Sequence, residues 1–195
     1  MNRVALLPAL LGVVALAACS GTLPSRFYLM EAGPPVVVAV DGPVIFVDQA
    51  TVAAYADRSP IVVRRGETEV AFADFDAWAE PVAGQITAVV VDALGDRFGR
   101  ANVRPTPGRR DREPDFRVSV EVLRFEIGTD GEALLDARWT LLAGADERFE
   151  AAGRERLTAV PSIPDSFDAR VAALSATLVD LADSIAAAIE VEGAS

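Results

Sequence analysis

Histidine and lysine are absent from this chain, and its single cysteine is Cys19. Without an imidazole or a second thiol the chain can run neither a Ser-His-Asp nor a Cys-His mechanism, and it offers a metal no nitrogen ligand from histidine. One cysteine also leaves no intramolecular disulfide, so stability must come from a packed core. Positive charge is scarce: 18 basic residues, all arginine, face 29 acidic ones, for a formal net charge of −11. Nucleic acid and anionic lipid surfaces are therefore poor electrostatic partners for the chain as a whole. No glycine-rich phosphate loop follows a predicted strand. Ser162 and Ser166 lie in a proline-bounded stretch without a nucleophile-elbow pattern. What remains is carboxylate chemistry at Asp74 and Asp76, which precede a predicted helix and read as helix-capping acids rather than catalytic ones. We read the chain as a non-enzyme that needs no cofactor.

What is present is concentrated at the start. Arg3, an apolar run over residues 4–17 and the tetrapeptide Leu16-Ala17-Ala18-Cys19 form a lipoprotein signal: a positive start, an apolar stretch too short to span a bilayer, and small residues at the cut. Residues 1–18 are thus expected to be removed and Cys19 to carry the lipid, with Leu16, Ala17 and Ala18 as the peptidase site. Loss of Arg3 makes the mature chain one charge more acidic than −11. Aspartate after the lipidated cysteine is an inner-membrane retention label; here the residue is Ser20, which points to the outer membrane. Residues 19–25 then form a lipidated tether reaching about 25 Å when extended, and residues 26–192 a single domain facing the periplasm.

Within that domain residues 26–30, 36–40 and 44–47 read as strands, the last after the Asp41-Gly42-Pro43 turn signal. Residues 61–63 and 68–72 read as a hairpin turned at Arg65-Gly66-Glu67. The period then changes. From Pro81 onward, Ile86, Val89, Val90, Ala93, Leu94 and Phe98 recur at helical spacing and end near Gly99. Residues 104–114 mix prolines with charges of both signs and read as a surface loop. Phe116, Val118, Val120 and Val122 alternate strictly, after which Leu123, Phe125 and Ile127 carry the apolar set one position out of step, the mark of a β-bulge. Turns at Asp130-Gly131 and Gly144-Ala145-Asp146 make this and two further strands, ending at Ala159, an antiparallel meander. Asp168 is placed to cap a last helix whose stripe runs through Val171, Leu174, Leu178, Leu181, Ile185 and Ile189. The expected fold is α+β: a two-layer domain with an antiparallel sheet and two amphipathic helices packed on one face.

Two segments carry a resemblance. Tyr55-Ala56-Asp57-Arg58-Ser59-Pro60-Ile61-Val62-Val63-Arg64 and Asp74-Phe75-Asp76-Ala77-Trp78-Ala79-Glu80-Pro81 resemble the Y-x-D-R-x-x-I-V-x-R and F-x-x-W-A-E-P segments of ABC-type transport auxiliary lipoproteins, the PqiC-like lipoproteins. Residues 116–126 look like that family's R-V-x-V-x-x-F-E strand, and Ala137-Arg138-Trp139 like its A-x-W strand. The resemblance implies an outer-membrane lipoprotein that works with an MCE-domain protein and an ABC transporter permease and ATPase in moving phospholipids between the envelope membranes. It also implies a fold compatible with a homo-oligomeric ring or collar.

Tyr55, Asp57, Arg58, Arg64, Trp78 and Glu80 are the candidate partner-binding residues. Beside that reading, Asp57, Arg58 and Arg64 form a local ion-pair network shaping the turn, and Trp78 packs under the first helix. Tyr55, apolar in body and polar at its tip, suits an interface. Two other functions share the anchor: a lipid-carrying domain with an apolar cavity, and a scaffold lipoprotein of secretion or lipopolysaccharide export.

Overall fold

The computed structural model describes residues 24–35, 42–106, 113–144 and 146–193. The signal segment, Cys19, most of the tether and the strand expected at residues 36–40 lie outside them, as does the middle of the loop at residues 104–114.

The organising element is a strand of strict alternation. Phe116–Ile127 (β7) buries Phe116, Val118, Val120 and Val122, and its length lets it serve as a spine for the sheet. Ala133–Ala143 (β8) pairs with it antiparallel along its whole length, and Arg148–Ala159 (β9) pairs antiparallel with β8. On the other side of β7 three short strands follow one another, all parallel to it. Ile45–Val47 (β2) lies beside Phe116 to Val118, Thr51–Val52 (β3) beside Glu121 and Val122, and Pro60–Arg64 (β4) meets it at Val63 opposite Ile127. Val70–Trp78 (β5) returns antiparallel to β4, Arg26–Tyr28 (β1) adds parallel to β5, and Val103–Pro105 (β6) adds parallel to β2.

The result, among the described residues, is an open nine-stranded sheet of mixed direction. This corrects the expectation of an antiparallel sheet: only the meander β7–β8–β9 and the β4–β5 hairpin are antiparallel, while β2, β3 and β4 run with β7 and β1 runs with β5. Residues 45–64 can lie along one strand in this way because the short connections at residues 48–50 and 53–59 carry the chain further along β7 before pairing resumes.

The bulge expected at Leu123 is present, as a register shift between Val122 and Arg124. Its position is informative. It falls where β7 passes from β3, whose pairing ends at Val122, to β4, whose pairing is at Ile127. The extra residue keeps Phe125 and Ile127 in the core and turns Arg124 and Glu126 to the opposite face of the sheet, across from Asp136 and Leu134.

Among the described residues two helices complete the domain. Val82–Phe98 (α1) follows Pro81, which sits at the N-cap with φ −54° and ψ 131° rather than in the first turn, and it ends at Gly99, whose φ of 91° favours glycine. Phe167–Gly193 (α2) is capped by Ser166, whose Oγ accepts the Ala169 N–H at 3.2 Å; Asp168 lies in the first turn instead of at the cap. The two helices pack against each other, α2 also against β7, β8 and β9, and α1 also against β2, β3 and β6. Helix α2 is long and apolar enough to cross a membrane, but 56% of its apolar window is buried, and Leu174, Leu178, Leu181 and Ile185 are fully enclosed in the core. It is the central helix of the domain.

One contact sets the fit between β8 and β9. Trp139 pairs with Gly153 across the strands, and a Cβ on Gly153 would lie 2.6 Å from the indole ring. The indole occupies the space that any other residue would need. Gly153→Ala is therefore expected to cost about 1–3 kcal/mol in thermal or denaturant unfolding, the range for overpacking; a variant as stable as wild type would show that the indole moves aside freely.

Candidate functional site

The turn at residues 53–58 is built from backbone bonds, with the N–H groups of Ala56 and Asp57 donating to the Ala53 carbonyl and that of Arg58 to Ala56. Its side chains divide. Tyr55 turns toward the sheet and donates its hydroxyl to Glu126 Oε2 at 3.0 Å, while Asp57 and Arg58 remain exposed. Arg58 donates from Nε to the Ala54 carbonyl at 3.4 Å and lies 5.7 Å from the centre of the Phe72 ring.

Glu126 is the residue that gathers this region. It is fully buried and accepts hydrogen bonds from Arg64 (Nε to Oε1, 2.6 Å; Nη2 to Oε2, 3.0 Å), from Arg124 (Nη2 to Oε1, 2.6 Å) and from Tyr55. Burial by itself raises the pKa of this carboxyl. The hydrogen bonds from Arg64, Arg124 and Tyr55 outweigh that cost and hold it below the ordinary glutamate value. Burial, then the charge of Glu126 and the hydrogen bond to it, push the Tyr55 phenol up to about 12. Tyr55 is thus a permanent donor and Glu126 a permanent anion near neutral pH.

The ion-pair network expected around Asp57, Arg58 and Arg64 is therefore corrected: Arg64 pairs with Glu126, and the anion at the centre lies on β7, 62 residues away in sequence from Arg64. Arg64 also donates from Nη1 to the carbonyls of Gly66 and Glu67, tying down the β4–β5 turn.

Asp74 and Asp76 fall inside β5, not at a helix start, which corrects their reading as caps. Asp76 is buried and accepts from the Tyr28 hydroxyl at 2.8 Å and from Arg26 at 3.0 Å, which fastens β1 to β5. Desolvation, then the hydrogen bond to Asp76, push the Tyr28 phenol up to about 12.

The second motif segment lies where β5 gives way to α1. Trp78 is buried, stacked on Phe125 with ring centres 5.9 Å apart, and its backbone N–H donates to the Ser59 carbonyl at 2.7 Å. The Ala79 N–H donates to the Tyr28 carbonyl at 2.9 Å. The Glu80 carbonyl accepts from Gln85 Nε2 at 2.8 Å, while Gln85 Oε1 accepts the Met30 N–H at 2.9 Å. Segments 57–59 and 78–82, separate in sequence, thereby line one cleft of about 450 Å³, with Asp57, Arg58 and Glu80 exposed at its rim and buried Trp78 in its wall.

Of the six candidate partner-binding residues, the structure brings Asp57, Arg58, Trp78 and Glu80 to this cleft and sets Tyr55 and Arg64 behind it on Glu126. Residues not singled out are Glu126, Arg124 and Gln85, of which Glu126 takes its bonds from Tyr55 and Arg64, far away in sequence. The displaced alternation at Leu123 was the one signal that pointed to Arg124 and Glu126.

The family model for the ABC-type transport auxiliary lipoprotein component matches residues 27–186, and the chain belongs to that family. A crystal structure of an uncharacterized protein is similar to it with a TM-score of 0.71 at 19% identity, covering 86% of this chain and 99% of the other. A Xanthomonas campestris protein of the DUF330 family is similar with a TM-score of 0.65 at 22% identity, covering 83% and 92%. At these identities the two share the fold. No curated protein matches the chain.

Because its folded pKa is depressed, Glu126 adds stability above its unfolded pKa, and that contribution is lost as pH falls through the lower folded value. Glu126→Gln should cost about 3 kcal/mol at pH 7, as for a buried ion pair deprived of one partner. The difference from wild type should narrow below the ordinary glutamate range in denaturant unfolding run at a series of pH values. A pH-independent difference would assign the loss to packing instead of charge.

Proposed function

We propose that this protein is the outer-membrane lipoprotein subunit of an MCE/ABC-type lipid transport system, held by a lipid on Cys19 and facing the periplasm. Its domain docks the far end of the periplasmic conduit formed by the MCE-domain protein and so supports phospholipid trafficking and envelope integrity. The role is non-enzymatic, since ATP is hydrolysed by another subunit.

The observation that carries the docking reading is the convergence of the two motif segments on one cleft. Its rim residues Asp57, Arg58 and Glu80 are exposed, while its rear is fixed by Tyr55 and Arg64 on a buried carboxylate. A rigid backing under a charged, exposed rim suits binding, because little order must be imposed when a partner arrives. Membership of a transport auxiliary family supports a partner among transporter components. The carrier alternative draws on one feature, a surface groove of about 700 Å³ bordered by Phe27, Leu29 and the first turns of α2, among them Val171 and Val179. Acidic Glu31, Asp168 and Asp180 also border it, which suits an acyl chain less well.

Charge reversal separates docking from folding. The variant Asp57→Arg with Glu80→Arg changes only exposed side chains and should stay within about 0.5 kcal/mol of wild type in unfolding. It should nonetheless fail to restore detergent resistance to a host strain lacking the gene. Full restoration by a folded variant would remove the cleft as the docking surface.

A further inference from the structure

Part of the sheet face opposite Leu135, Ala137, Trp139 and Leu141 carries a local charge opposite in sign to that of the chain. Residues directly opposite on neighbouring strands share a face, and two adjacent rows here read Glu121, Arg138, Arg154 and Arg124, Asp136, Arg156. This block of side chains holds four guanidinium groups against two carboxylates. The neighbouring Glu126 and Arg64 add one charge of each sign and leave the positive excess unchanged. That excess stands on a chain of net charge −11.

The anion lies beneath and the cations above. The Asp136 side chain is 1% exposed, those of Arg154 and Arg156 51% and 64%. Both arginines grip Asp136 through Nε and Nη2 at 2.9 to 3.3 Å, which leaves Nη1 of each without a protein partner among the described residues. Among the described residues Arg138 pairs with Glu121 alone, at 3.2 Å, and both are exposed. One buried carboxylate therefore orients two guanidinium groups and leaves donors on each open to solvent. Planar donors held in this way suit the oxygens of a phosphate. Hydrogen bonds from Arg154 and then Arg156 hold the Asp136 carboxyl below the ordinary aspartate value, so the support stays charged.

Exposed apolar side chains stand at both ends of this edge, Phe149 (63%) at the start of β9 and Val160 (82%) just past its end. Basic side chains flanked by exposed apolar ones are what a membrane interface selects, and they set a lipid headgroup apart from an acidic peptide. The overall negative charge is no obstacle: salt screens exposed charges over about 8 Å, so a phosphate at contact senses the arginines more than the distant acids.

We propose that Arg138, Arg154 and Arg156 form a binding face for the phosphate of phospholipid headgroups. The assignment stands independently of the docking cleft, which lies on other residues.

The test uses the mature lipidated protein in a neutral maltoside detergent, observing arginine Nε–Hε signals by NMR. Dihexanoyl phosphatidylglycerol should shift the signals of Arg138, Arg154 and Arg156 saturably. Arg154→Gln, which leaves Asp136 paired with Arg156, and Arg138→Gln, which touches only an exposed glutamate, should each weaken binding about tenfold, as expected for loss of a charge-assisted contact. Inorganic phosphate should bind much more weakly at the same residues. Equal affinity for inorganic phosphate would overturn the lipid assignment, displacement of the lipid by a polyglutamate peptide would move the face to a protein partner, and the absence of shifts, or binding unchanged in both variants, would overturn the site.

Discussion

The buried carboxylate of Glu126 is the interaction on which the motif region depends. A carboxylate with no access to water is tolerable only when its oxygens are fully bonded, and Arg64, Arg124 and Tyr55 supply those bonds from β4, β7 and the turn that precedes β4. The cost of burying the charge is thus converted into positional order. Each of the three donors can occupy one place only, and Tyr55 brings the turn carrying Asp57 and Arg58 with it. Removing the anion would leave cations facing each other and the turn without its tie to the sheet.

The same device recurs across the domain. Asp76 fixes Tyr28 and Arg26, binding β1 to β5, and Asp136 fixes Arg154 and Arg156 across β8 and β9. Asp48 gathers Arg117, Ser119 and Thr106 at the opposite end of β7. A chain that lacks lysine places at least one planar guanidinium in each of these clusters, and its geometry permits two-point contact with a carboxylate. An open sheet of short strands, held on one side of β7 by few backbone bonds, gains register from such cross-strand pairs. The acids that make the chain electronegative are in this sense partly structural, and where two arginines share one acid the local charge changes sign.

Much of this was legible from residue patterns. The helical stripes ending near Phe98 and running through Leu174 to Ile189 could be read, as could the alternation of β7 and the slip at Leu123, because each is a local periodicity. The parallel pairing of β2, β3 and β4 with β7 was not, since alternation shows which face a residue takes but not which strand lies beside it. Nor did the motif reveal its own centre. Tyr55 and Arg64 stand close together in sequence, but the acid they share lies on β7, and only the three-dimensional path shows that both serve Glu126. Asp74 and Asp76 were misread for a similar reason: strand β5 continues to Trp78 through a stretch whose acids resemble the start of a helix.

The central claim is that this buried network presents the cleft of Asp57, Arg58 and Glu80 to the periplasmic conduit of a lipid transporter. The most direct test is affinity capture of the tagged, lipidated protein from cross-linked envelopes of its own host, with captured proteins identified by mass spectrometry. The account predicts recovery of an MCE-domain protein with its permease or ATPase. Reproducible recovery of secretion or lipopolysaccharide-export components in their place, or of no transporter component, would contradict it.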